Sequence, residues 1–180
     1  MWERLKDVDA LPSPAEPGRG ARAVTIGSEP FDADGARWVV PRAEAELEER
    51  YGFVAPTERG LARAEFDPPT GAFLVARAVP DQTPIGGVGL RRTPEGTAEV
   101  KRLWVLPEHR RAGIARALMR EIEDVARGLG YTTLRLETGT GTGQPEAVAL
   151  YDGSGWLRSD EGWGGGPMDP GSIRFAKDLR

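Results

Sequence analysis

Residues 105–116 read Val105-Leu106-Pro107-Glu108-His109-Arg110-Arg111-Ala112-Gly113-Ile114-Ala115-Arg116. An apolar stretch ends at Pro107, a basic loop with one glycine follows, and helical spacing of apolar residues begins at Ile114. This is the order of a strand end, a turn and a helix start. The first N–H groups of a helix have no acceptor within it, and the macrodipole places partial positive charge at the same end. With Arg110, Arg111 and Arg116 around them, these groups make a cradle suited to a pyrophosphate. A phosphorylated cofactor is therefore the first expectation.

Downstream, Ile114, Leu118, Ile122, Val125 and Leu129 recur on one helical face between Gly113 and Leu129. Gly128 and Gly130 bracket the exit, and Thr132–Glu137 reads as a strand with Leu134 and Leu136 on one side. Strand, helix and strand in succession imply a parallel pair joined by a right-handed crossover. Pro145–Gly153 reads as a short helix with Pro145 in its first turn and Ala147, Leu150 and Tyr151 on one face. Gly155–Arg158 and Ser172–Asp178 suit final strands.

Upstream, Ala72–Val79, Ile85–Arg92 and Thr97–Leu106 are strand-like runs separated by short Pro-containing turns, which predicts an antiparallel meander. Asp32–Tyr51 reads as a helix interrupted at Pro41 and stopped at Gly52. Ala21–Ile26 suits a first strand. Residues 10–20 hold three prolines and two glycines, so Met1–Gly20 is expected as a flexible N-terminal arm ahead of one domain over residues 21–180. The fold class is α/β (α+β): a mixed central sheet, antiparallel in its first half, flanked by helices.

The strand before the cradle breaks the alternation. Val100 lies on one parity, Leu103 and Val105 on the other. In a strand with one buried face, a slip of one residue exchanges the faces. A β-bulge between Val100 and Leu103 repairs the pattern and leaves backbone groups unpaired, a place for an amide-bearing ligand to add its own hydrogen bonds. A parallel strand buried on both faces needs no alternation and accounts for the same residues.

Composition narrows the classes. The 180 residues fit one domain, and a net charge of −4 leaves no global basic footprint for nucleic acid. With no cysteine and one histidine, His109, neither a disulfide, a thiolate zinc site nor a cysteine nucleophile is available, and no metal is expected. No apolar run approaches the roughly 20 residues that span a bilayer, so a cytoplasmic protein without membrane partners is the default.

These residues resemble the GNAT superfamily of N-acetyltransferases, which move an acetyl group from acetyl-CoA to an amine. The family's pyrophosphate loop, Arg/Gln-x-x-Gly-x-Gly/Ala, is matched by Arg110-Arg111-Ala112-Gly113-Ile114-Ala115. Val100–Pro107 is similar to the family's strand and turn. Glu146-Ala147-Val148-Ala149-Leu150-Tyr151 followed by Gly155-Trp156 is similar to its Ala-x-x-Leu-Tyr…Gly-Phe segment. The resemblance covers about residues 21–180. It departs at Gln144-Pro145, where the family often has Asn, and at Trp156, where it has Phe.

The resemblance implies a splayed parallel strand pair at the cofactor site and direct attack of a neutral amine on the thioester, without an acyl-enzyme. Tyr151 sits where the family places its general acid; a core tyrosine is its structural alternative. Glu99 is the first candidate base and Glu137 the second, with a relay through water also possible for the family. Leu103, Trp104 and Val105 are expected to meet the cofactor on the strand, with a backbone N–H near Trp104 or Val105 holding the oxyanion. Arg110, Arg111, Ala112, Gly113, Ile114, Ala115 and Arg116 are expected at the pyrophosphate. His109 reads as a turn residue. The arginines also suit a solvated helix face, where Arg120 and Asp124 would pair at i,i+4. The acceptor, a small-molecule amine or a protein amino group, is not legible; in the family the region 32–51 and the late loop 162–171 shape its pocket. A homodimer is compatible with the resemblance. A catalytically inactive acyl-CoA-binding module is the alternative function. A nucleotide-binding protein is weaker, because the chain lacks the Lys-Ser/Thr of a P-loop.

Overall fold

A computed structural model describes residues 6–7, 23–52, 63–93, 95–139, 143–159 and 172–180, with only the backbone pairing for 6–7. The strands are β1 (Lys6–Asp7), β2 (Val24–Ser28), β3 (Ala72–Ala78), β4 (Pro84–Arg92), β5 (Ala98–Val105), β6 (Thr133–Thr138), β7 (Leu157–Arg158) and β8 (Ile173–Asp178). The α-helices are α1 (Asp34–Tyr51), α2 (Ile114–Gly128) and α3 (Pro145–Asp152). Short 3-10 turns occupy Arg63–Phe66 and Pro107–His109.

The described strands form one sheet in the order β1-β2-β3-β4-β5-β6-β8-β7. The meander β3-β4-β5 is antiparallel as expected. The β5–β6 pair, joined through α2, is parallel, while β8 returns antiparallel beside β6 and carries β7 at the edge. Lys6–Asp7, inside the expected N-terminal arm, pairs antiparallel with β2. The rest of that arm and the loop 162–171 lie outside the described residues.

Each face of the sheet has its own buried cluster. On one, Ile114, Leu118 and Ile122 of α2 and Tyr151 of α3 pack with Val88, Val100, Leu134 and Phe175. On the other, Ala36, Val39 and Ala43 of α1 pack with Phe66, Phe73, Val75 and Trp104. These clusters resolve the parity problem in β5. Val100 and Val105 are five residues apart, yet both belong to the α2-side cluster, while Trp104 belongs to the α1-side cluster. A regular strand cannot do this. The register explains it: Gly89 faces Lys101 and Gly87 faces Trp104, so three steps on β5 oppose two on β4. Arg102 takes up the extra residue at φ +59°. The bulge is present where the alternation fails.

Helix α1 corrects one expectation. It runs unbroken through Pro41 from Asp34 to Tyr51. Proline removes one i→i−4 hydrogen bond, but Ala36, Val39 and Ala43 on either side are buried, and tertiary packing of an apolar stripe outweighs local propensity. The stop is as expected, with the Gly52 N–H closing on the Glu48 carbonyl at 2.8 Å.

Candidate active site

The parallel pair β5–β6 is in register only at Ala98↔Leu134 and Glu99↔Arg135. From Val100 onward β5 continues to Val105 with its other edge on β4, and β6 continues with its other edge on β8. Their facing edges therefore part toward the C-terminal ends. The bulge at Arg102 supplies the twist and bend that turns β5 away from its neighbour. The result is a wedge with backbone polar groups on its walls.

At the open end of the wedge lies the basic loop. Pro107–His109 forms its 3-10 turn, and Gly113 is the N-cap of α2 at φ +82°, with no side-chain capping hydrogen bond. A left-handed N-cap without a side chain leaves the N–H groups at the helix start open to an anion. Arg111, at φ +64°, and Arg116 are exposed on either side of it. His109 lies in the turn, as expected of it. This arrangement suits the pyrophosphate cradle read from the sequence.

Arg110 is engaged differently from its neighbours. Its Nε donates to the Val105 carbonyl at 2.8 Å, and its Nη2 donates to Glu46 Oε2 on α1. The same oxygen accepts the Trp104 Nε1–H at 2.7 Å. Glu46 Oε1 takes Arg50 Nη2 at 2.6 Å, and Arg50 reaches on to Glu146 at 2.6 Å and the Gly143 carbonyl at 2.9 Å. One carboxylate thus ties α1 to the end of β5, to the cradle and, through Arg50, to the start of α3. Partial burial pushes the Glu46 carboxyl up, but the hydrogen bonds and charge of Arg110, with Trp104 and Arg50, outweigh it and hold the group below the usual range.

Sequence reading missed Glu46, although a signal existed. Ala36, Val39, Ala43, Glu46 and Arg50 follow helical spacing, so the carboxylate falls on the stripe that α1 turns to the sheet. Within the run Glu44–Arg50 it reads as one acid of a solvated face. Its partners Trp104 and Arg110 lie 58 and 64 residues away, beyond any local pattern.

The turn from β6 to α3 is closed locally. Gln144 Oε1 accepts Thr138 Oγ1 at 2.7 Å and the Gly139 N–H at 3.2 Å, so the Gln-for-Asn departure gives a side chain turned back on the strand end. Tyr51, the last residue of α1, presses against this turn. A Cβ at Gly139 or Gly143 would overlap its hydroxyl.

Tyr151 is 6% exposed and packs against Trp156 and Phe175 with ring centroids 5.9 and 5.3 Å away. Burial pushes its phenol well above the ordinary value, so it is protonated at neutral pH. It shares the α2-side cluster with Val105 and Ile114. Glu99 is adjacent to Val100 and Ala98, both in that cluster, so its side chain points to the opposite, α1 face. There it is buried and meets Arg91, whose Nε and Nη2 both lie 2.8 Å from Oε2. Lys101 lies 3.3 Å from Oε1. Glu99 stands at the closed end of the wedge, where β5 and β6 are still paired. Glu137, on β6, accepts Arg174 Nε at 2.9 Å. Among the described residues no group of His, Cys, Asp and Glu has the arrangement of a metal site. Nor is any helix long and apolar enough to cross a membrane.

The chain matches the sequence profile of the acetyltransferase (GNAT) family over residues 37–156, a span that holds β5, the cradle and Tyr151. It belongs to the GNAT acetyltransferase family. It is similar to an IAA acetyltransferase of Azospirillum brasilense, at 37% identity over 138 residues covering 74% of this chain and 86% of the relative. Its fold is similar to that of a Klebsiella pneumoniae protein designated a candidate acyl-CoA N-acyltransferase, with TM-score 0.73 and 26% identity, covering 87% of this chain and 98% of the other. A PaiA N-acetyltransferase of Thermoplasma acidophilum, solved in complex with coenzyme A, shares the fold at TM-score 0.62 and 19% identity over 87% of this chain and 99% of its own. The GNAT assignment makes the chain an N-acetyltransferase.

Proposed function

We propose that the chain transfers the acetyl group of acetyl-CoA to a primary amine, of a small molecule or a protein, by direct attack. The observation that carries this reading is the wedge. The parallel pair closes at Glu99↔Arg135 and opens beside a helix start whose N-cap offers no side-chain hydrogen bond. A ligand with a pyrophosphate at one end and an amide-bearing arm at the other fits both features. Val100–Val105 would bond the arm, and Ala112–Arg116 with Arg111 would hold the pyrophosphate.

The thioester supplies an activated acyl carbon. The chain's own groups handle the protons and the developing charge. A backbone N–H near Trp104 or Val105 stabilises the oxyanion. Tyr151, protonated in its buried setting, donates to the departing thiolate. Glu99, from the α1 face, takes the amine's proton through water, since Arg91 and Lys101 already occupy its oxygens. Acid and base thus stand on opposite faces of β5. The side chain of Arg110 serves the cradle from behind, by fixing the loop to α1 rather than by touching the anion.

The ion pairs on Glu99 also favour a second reading, an acyl-CoA-binding module without turnover. A screen of amine acceptors with acetyl-CoA, reading released thiol, separates the two. Steady thiol release with at least one amine is expected, and Tyr151→Phe is expected to lower turnover about 100-fold or more while acetyl-CoA binding stays within about twofold. Tight acetyl-CoA binding with no turnover on any acceptor supports the module instead.

A further inference from the structure

The oxyanion donor and the acid of the proposed reaction stand on different walls of the wedge. Trp104 and Val105 end β5, which is paired along this stretch with β4. Tyr151 packs on Phe175 of β8, and Phe175 lies opposite Leu136 of β6. Beyond Glu99↔Arg135 the described residues of β5 and β6 share no backbone pairing. The distance from acid to thioester therefore depends on what holds the walls at the open end.

The last turn of α1 crosses that end. Glu46, bonded to Trp104 and Arg110, accepts Arg50 Nη2 at 2.6 Å. Arg50 Nη1 reaches Glu146 Oε1 at 2.6 Å and the Gly143 carbonyl at 2.9 Å. This chain of bonds runs from the end of β5 to the segment that follows β6. Tyr51 presses on the same segment, where a Cβ at Gly139 or Gly143 would overlap its hydroxyl. Arg50 thus limits how far the walls part, and Tyr51 limits how near they come. The side chains of Arg50 and Glu46 remain 25% and 20% exposed, and ion pairs so open to solvent contribute little to stability. A misplacement of about 1 Å in the reacting groups, by contrast, can cost about 100-fold in rate. The brace matters more for alignment than for folding.

We propose that Arg50, held by Glu46, is a positioning residue: it fixes the gap across the wedge and so keeps the Tyr151 hydroxyl within reach of the departing thiolate. The proposal rests on the acetyl-CoA reading. The thioester, its arm bonded to β5, moves with one wall, and Tyr151 moves with the other. Loss of Arg50 is therefore felt through Tyr151 and leaves the cofactor on its own wall.

Steady-state kinetics of Arg50→Met, Tyr151→Phe and the double variant test this, with acetyl-CoA, the fastest amine of the acceptor screen and released thiol as the readout. Arg50→Met is expected to lower kcat at least about tenfold, with the calorimetric Kd for acetyl-CoA within about threefold of wild type and a melting midpoint no more than about 4 °C lower. In the Tyr151→Phe background the same substitution is expected to change kcat less than about twofold, since the group it aligns is gone. An unchanged kcat in Arg50→Met, a loss of the same factor in both backgrounds, or a loss matched by weaker acetyl-CoA binding overturns the positioning role alone. Unchanged turnover in Tyr151→Phe overturns the acid assignment, and no wild-type turnover on any amine overturns the acetyl-transfer reading; each takes the positioning role with it.

Discussion

Glu46 stands on the stripe that α1 turns to the sheet and gathers Trp104, Arg110 and Arg50 on its two oxygens. A carboxylate that satisfies three donors from three segments is worth more to the site's geometry than a surface ion pair, because removing it strands partly buried partners. Glu46→Gln is expected to cost about 1–3 kcal/mol of stability at neutral pH, read from urea unfolding midpoints. The pH dependence has a definite sign. The folded carboxyl titrates below its ordinary value of 4.5. Its stabilisation is therefore complete above that value and is lost as pH falls through the lowered one. The gap between wild-type and Glu46→Gln should narrow in that acid window; a gap that stays constant down to pH 2 would refute the linkage. Residues read from motif fared differently. The places of Gly113 at the start of α2 and of Tyr151 on α3 were legible from their local sequence, whereas Glu46 acts only through partners that folding brings to it.

At the scale of elements, the helix α1 and the strand β5 show opposite limits of sequence reading. The bulge in β5 was visible because period-two alternation is a strict rule, and a violation by one residue has few remedies. The continuity of α1 was not visible, because proline's local cost is written in the sequence while the packing that overrides it is not. The cost remains in the folded chain. Pro41 is exposed, and alanine there would restore a donor to the helix interior without disturbing the core. Pro41→Ala is expected to raise stability by about 1–3 kcal/mol, the helix propensity difference less the proline's restriction of the unfolded chain. A thermal melt checks it. An unchanged or lowered midpoint would mean that the helix is built around the proline.

Across the whole molecule, the order of elements was readable and their spacing was not. Strand, loop, helix, strand and tyrosine helix follow from hydrophobic periods and turn residues. The short register of β5 on β6, the two faces of the sheet and the reach of Arg50 from α1 to α3 arise only when the elements pack. The wedge is the product of all three, and the proposed chemistry depends on it more than on any single side chain. Amide hydrogen exchange with and without acetyl-CoA tests it most directly. The account predicts protection on binding at residues 100–105 and 111–116, with β2 and β3 unchanged. Protection confined to other segments, or none at saturating acetyl-CoA, would contradict it.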